Sequence, residues 1–233
     1  MSDAPSRISS LGKYGVARNF SWIFIVIILL FGSAGTLYWL RGWIYVGYSV
    51  SYQVFYLILL LTINPQLLND RGKYNLKKSK SYDKYFLASY FVLGSATFIV
   101  AGLDVRFQWS SIPAIVIYPS IVLLILTTIL ALWAHVCNTH FTLTSRNDKL
   151  GDQPVCRTGP YRYIRHPGYF AAIFQWISYP LILGSWLSCI PAFIYVSCIF
   201  ARTYLEDKML RRELKGYSEY STATKYRLFP YIW

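Results

Sequence analysis

The chain has 233 residues and a formal net charge of +13, with 55% hydrophobic, 18% aromatic and 14% charged residues. A soluble domain usually carries about a quarter charged residues, so an ordinary water-soluble globule is excluded. The basic residues sit in blocks between long uncharged runs, which accounts for the positive balance without a nucleic-acid partner and argues against that class as well.

Residues 20–40, 42–69, 85–103, 107–145 and 166–201 contain no Asp, Glu, Lys or Arg. About 20 apolar helical residues cross a bilayer core, so these runs predict membrane helices at 21–40, 43–63, 84–102 and 113–137. The first run passes into Tyr38, Trp39 and Leu40 without an A-x-A cleavage site and reads as a retained helix rather than a signal peptide. Pro113 suits the first turn of the fourth helix, where a missing N–H costs nothing. As one straight helix, 166–201 would extend roughly 54 Å, well beyond a core of about 30 Å. Pro180, Gly184-Ser185 and Pro191 offer places to break it, which predicts a helical hairpin of 167–183 and 186–206.

The expected fold is therefore an all-α integral membrane protein of about six transmembrane helices. The last two form a hairpin, and a C-terminal cytosolic region binds a cofactor. No repeat or linker divides it. The expectation is a single membrane domain, 1–233, in which 1–110 supplies N-terminal helices and 111–233 the catalytic half. Lys and Arg occur three times in 1–20, six times in 70–84, five times in 146–165 and seven times in 202–227. If every block is cytoplasmic, the positive-inside rule is obeyed at each loop and both termini are cytoplasmic, at a plasma, inner or endoplasmic-reticulum membrane. Such a face also attracts anionic lipid headgroups. The four cysteines form no C-x-x-C pair and no metal-ligand spacing, so no metal is expected. His135 and His140 flank the fourth helix end and read as hydrogen-bonded packing.

Two loops stand out. Residues 64–84 read as a basic interfacial connector. Residues 138–165 are longer than adjacent spans require, and long ordered loops are disproportionately functional. The second loop leads into CRTGPYRYIRHPGYF, residues 156–170. Pro160 and Pro167 disfavour helical angles at the residues before them and suit the first position of a helix. The stretch thus reads as two helix starts. A helix N-terminus offers unpaired N–H donors to a carboxylate or phosphate. Arg162 and Arg165 add charge, while Tyr161, Tyr163 and Tyr169 supply aromatic walls. An aromatic belt with flanking arginines has the same composition. Downstream, in RTYLEDKMLRREL, Arg202, Glu206 and Leu210 recur every four residues and share a helical face. If the hairpin folds back, that face returns to the level of His166–Tyr169.

The combination of GPYRYIRHPGY, RTYLEDKML and GYSEY…YRLFPYIW resembles the isoprenylcysteine carboxyl methyltransferase family, which shares this pattern with membrane phospholipid methyltransferases. NPQLLNDRGK and AGLDVRFQWSSIP also look like the family's connectors, so the resemblance spans roughly residues 64–233. It implies a multi-pass enzyme that takes its methyl group from S-adenosylmethionine and a lipophilic or prenylated acceptor from the bilayer. Carried over by motif position, the cofactor residues are Gln153, Pro154, Val155, Cys156, Tyr161, His166, Pro167, Gly168, Tyr169 and Glu206. Arg146 falls where the family has another cofactor-side residue. Arg202 faces the acceptor, and Arg202 and Glu206 form the catalytic pair. Ala171 stands at a usual glycine, and Glu206-Asp207 at a usual Glu-Glu pair.

The chemistry asks little else of the protein. Displacement at a methyl sulfonium needs positioning and desolvation rather than acid–base groups. Arg202 can hold an anionic acceptor bidentately. The acceptor atom stays open among a prenylcysteine carboxylate, a lipid amine and a small thiol. An NADPH-dependent membrane lipid or sterol reductase is the alternative, told apart by stabilisation with NADPH rather than S-adenosylhomocysteine. A transporter would carry charges within its first four spans, which have none beyond Lys84 at the edge of the third.

Overall fold

The structure, a computed structural model, describes residues 10–63, 81–138 and 153–233. Its long helices are α1 (Ser10–Ala34), α2 (Leu40–Ile63), α3 (Ser81–Phe107), α4 (Ile117–Cys137), α5 (Pro167–Leu183) and α6 (Cys189–Glu213), followed by the short α7 (Tyr217–Ala223). Single 3-10 turns lie at Ala114–Val116 and Gly159–Arg162, and no strand occurs among the described residues. Within α1, α2, α3, α6 and the segment Ala114–Cys137, five stretches are long and apolar enough to cross a membrane. This is a multi-pass membrane protein. At 17 residues, α5 is the shortest of the six long helices.

α1 packs against α2 and α3, α4 against α5, and α6 against both α3 and α5. One buried cluster joins Leu30, Phe98, Ala101, Ile182 and Leu183, and a second joins Ile173, Trp176, Tyr195, Ile199 and Leu228. α1 and α3 approach closely at Gly102, where a Cβ would lie 1.9 Å from Ser33 Oγ and 2.5 Å from the Leu30 carbonyl. Phe24, Ile28, Val54 and Ile129 point outward, as suits helices solvated by lipid tails.

The expected hairpin is present, with α5 packed on α6. Its first arm spans the expected 167–183, whereas the second begins at Cys189 rather than residue 186. Pro180 stays inside α5 and Pro191 falls in the first turn of α6. The chain turns at Gly184, which takes φ +88° as a left-handed helix cap. Beside it, Ile112 N–H donates to the Gly184 carbonyl and Arg41 Nη2 to the Ile112 carbonyl, at 3.1 and 2.8 Å. The buried Asp104 accepts from Ser110 N–H at 2.6 Å and from Ser185 Oγ, tying α3 to the same turn.

Helix ends depart most from expectation. α1 begins at Ser10 rather than residue 21 and stops at Ala34, and α6 continues to Glu213 rather than 206. Charge-free runs mark what lipid must solvate, whereas these helices carry polar turns beyond it.

Candidate active site

The stretch before α5 forms one 3-10 turn and one helix start. Gly159 takes φ +57°, and a Cβ there would sit 2.4 Å from Cys137 Sγ, so only glycine fits. His166 is the residue before α5, and Pro167 opens the helix. Arg165 N–H donates to the Tyr226 carbonyl at 2.9 Å and His166 N–H to the Arg227 carbonyl at 3.0 Å. The tail after α7 thus occupies two donors ahead of the helix. Gly168 and Tyr169 lie in the first turn, where backbone N–H groups have no intrahelical acceptor.

Beneath this start lies Asp207, fully buried on α6. Arg165 grips it in a fork, Nε to Oδ1 at 2.7 Å and Nη2 to Oδ2 at 3.1 Å. Arg211 and Arg227 reach Oδ2 at 3.2 and 3.0 Å, and the Tyr217 hydroxyl donates to Oδ1 at 3.0 Å. His166 Nε2 stands 3.4 Å from Oδ1. Arg165 spends Nη1 on the carbonyls of Thr224 and Lys225 at 2.8 and 2.7 Å. The sequence reading of Arg165 as a ligand-facing charge is therefore corrected, because its guanidinium cross-links α6 to the tail. Arg162 and Tyr163 are exposed and form no wall of this site.

On α6 just before Asp207, Arg202 and Glu206 meet Tyr169. Arg202 Nε donates to the Tyr169 hydroxyl at 2.6 Å, and that hydroxyl donates to Glu206 Oε2 at 2.6 Å. Arg202 Nη2 lies 3.3 Å from the same carboxylate oxygen. Its Nη1 pairs with Asp83, in the first turn of α3. The Phe86 ring stands 4.6 Å from the guanidinium carbon. Arg202 is 3% and Glu206 19% exposed at the side chain, so Glu206 is the carboxylate of this group that opens outward. The His166 and Tyr169 rings stack at 5.7 Å.

The structure therefore brings together His166, Pro167, Gly168, Tyr169, Arg202 and Glu206. Tyr161 is buried beside them, where its carbonyl accepts the Tyr220 hydroxyl at 2.7 Å. Val155 and Cys156 pack against the cluster of Ala134, Tyr161, Tyr217 and Tyr220, and Cys156 Sγ donates to the Cys137 carbonyl at 3.2 Å. Gln153 is half-buried and Pro154 exposed. Arg146 and His140 lie outside the described residues. His135 Nδ1 meets the Ala131 carbonyl at 2.5 Å, in keeping with a packing role.

Three residues with large parts in this site went unread in the sequence: Asp83, Asp207 and Tyr217. Asp207 left a signal as the acidic neighbour of Glu206, and Tyr217 as the first tyrosine of GYSEY. Burial first, and then the Asp207 charge, pushes the Tyr217 phenol well above its ordinary value. Burial raises Tyr161 and Tyr220 in the same direction. All three phenols are neutral at physiological pH; those of Tyr217 and Tyr220 donate, whereas that of Tyr161 accepts from Asn138 Nδ2 at 3.5 Å.

No curated protein matches the chain. Residues 115–212 match the isoprenylcysteine carboxyl methyltransferase (ICMT) family. The matched segment contains α4, α5 and nearly all of α6, and leaves out Asp83, Tyr217 and Arg227. The match falls on the part of the chain that holds the motifs RHPGY and RTYLE, where the resemblance to this family was expected.

Proposed function

We propose that the protein transfers a methyl group from S-adenosylmethionine to a lipophilic acceptor at the cytoplasmic face of its membrane, as a carboxyl methyltransferase of the isoprenylcysteine type. One observation carries this reading: within the family-matched segment, the Pro167 helix start meets the Arg202–Glu206 face through the Tyr169 hydroxyl. The resemblance of the sequence to methyltransferases and the family match favour this reading over a nicotinamide-dependent reductase.

The residues present fit the cofactor's chemistry. A zwitterionic amino acid group needs donors for its carboxylate and an acceptor for its ammonium. The first-turn N–H groups of Gly168 and Tyr169 are such donors. The outward-opening Glu206 carboxylate is such an acceptor, for the ammonium or for ribose hydroxyls. When bound, S-adenosylmethionine supplies a methyl group on a sulfonium, ready for in-line displacement.

The protein's own part is placement. Tyr169 ties the Glu206 carboxylate to the helix start, so donors and acceptor hold one spacing before any ligand arrives. Arg202 orients the acceptor. Buried aromatic rings around it keep water from the reacting centre. The basic connectors sit at the cytoplasmic surface with both termini on that side.

The test is transfer of tritiated methyl from donor to a total lipid and protein extract of the membrane, with the labelled product identified. Glu206→Ala should weaken S-adenosylhomocysteine binding, whereas Arg202→Ala should chiefly reduce turnover. A wild-type protein that labels nothing and gains thermal stability from NADPH, rather than S-adenosylhomocysteine, would overturn the reading.

A further inference from the structure

We infer that Asp83, outside the family-matched segment, is a positioning residue that sets the orientation of Arg202 for the acceptor; this rests on the reading of Arg202 given under Proposed function. Asp83 is the acidic residue in the first turn of α3 and is 1% exposed. A carboxylate at that end of a helix is favoured by the helix dipole, which helps offset its burial. Its Oδ1 pairs with Arg202 Nη1 across 119 residues of sequence.

The other two guanidinium nitrogens meet groups on the opposite side, Nε the Tyr169 hydroxyl and Nη2 the Glu206 carboxylate. A planar guanidinium held at three corners by three helices has one orientation left to it. α5 and α6 supply two of those corners, and both lie in the matched segment. Without the third, the cation loses the corner that fixes its direction toward the acceptor. Rings from the same turn of α3 line the guanidinium, with Phe86 at 4.6 Å and Tyr82 at 5.9 Å from its carbon.

Asp83 also bears on the acceptor. An anionic group approaching Arg202 finds it already flanked by two carboxylates, Asp83 and Glu206. Asp83 therefore acts through Arg202, tempering its pull on the acceptor and fixing its direction.

The experiment compares Asp83→Asn, Asp83→Glu, Arg202→Ala and the double variant Asp83→Asn/Arg202→Ala in full-length protein. Each is measured for S-adenosylhomocysteine binding, and for initial rates with tritiated donor at saturation and varied membrane extract. Asp83→Asn keeps the volume but removes the charge. It should lower turnover about 10²-fold, the scale of a small misplacement, with S-adenosylhomocysteine affinity changed less than about threefold. Asp83→Glu should recover most of the rate. In the Arg202→Ala background the Asn substitution should cost nothing further.

Unchanged turnover in Asp83→Asn, while Arg202→Ala is impaired, overturns the positioning role alone. Unimpaired turnover in Arg202→Ala overturns the reading of Arg202 beneath it. Losses that multiply in the double variant, or cofactor binding that falls in step with turnover, also overturn the positioning role. If Asp83→Asn does not fold, the double variant decides, because it buries no unpaired cation. Its recovery as folded protein with the activity of Arg202→Ala supports the inference, and its failure to fold makes Asp83 a fold determinant instead.

Discussion

Replacing Asp207 by Asn tests whether the buried charge hub holds the helix start at Pro167 against α6. The substitution is nearly isosteric, yet it removes the one carboxylate that Arg165, Arg211 and Arg227 share. Arg165 is 1% exposed at its side chain, so its cation would be left buried beside a neutral amide. Breaking a buried pair by removing one partner costs about 3–5 kcal/mol. For a chain of this size each kcal/mol moves the unfolding midpoint by about 2–4 °C, so a fall of about 6–20 °C is expected. Thermal unfolding in detergent, followed by tryptophan fluorescence, reads this directly. Glu219→Gln is the control, since its pair with Arg157 spans 3.7 Å between side chains 82% and 53% exposed. Such surface pairs contribute about 0–1 kcal/mol. If both variants lose the same few degrees, the account of Asp207 as a hub is wrong.

Two further outcomes are expected. Gly102→Ala should lower the midpoint by about 2–12 °C, from an overpacking cost of about 1–3 kcal/mol; Gly32→Ala, with nothing within 4 Å of its Cβ position, should not. The raised phenol of Tyr217 makes stability complete below its ordinary value of 10.0 and lost progressively as pH rises above it. Tyr217→Phe should reduce that alkaline decline by about 1.4 kcal/mol in total between pH 9 and 11, measured as chemical stability.

Much of the fold could be read from charge-free runs, because lipid tolerates few unpaired charges and so writes its thickness into composition. What those runs do not record is how far a helix continues once it reaches water, hence the misplaced ends of α1 and α6. Within the site, the helix start at Pro167 and the i,i+4 pair Arg202–Glu206 were legible because each is a local pattern. Which arginine would be buried was not. Arg162 and Arg165 look equivalent in sequence, and the choice between them is made by Asp207, 42 residues from Arg165. Asp83 was hidden for the same reason: it sits in a lysine-rich connector and acquires its meaning only when α3 packs on α6.

The bonding of Arg165 and His166 to the Tyr226 and Arg227 carbonyls sets an order of events during synthesis. The helices before the tail can form as soon as the ribosome has delivered them, but the bend at Pro167 stays unlatched until residues near 226 have been made and fold back. A nascent chain halted before that point should therefore be membrane-inserted yet lack a fixed helix start at Pro167.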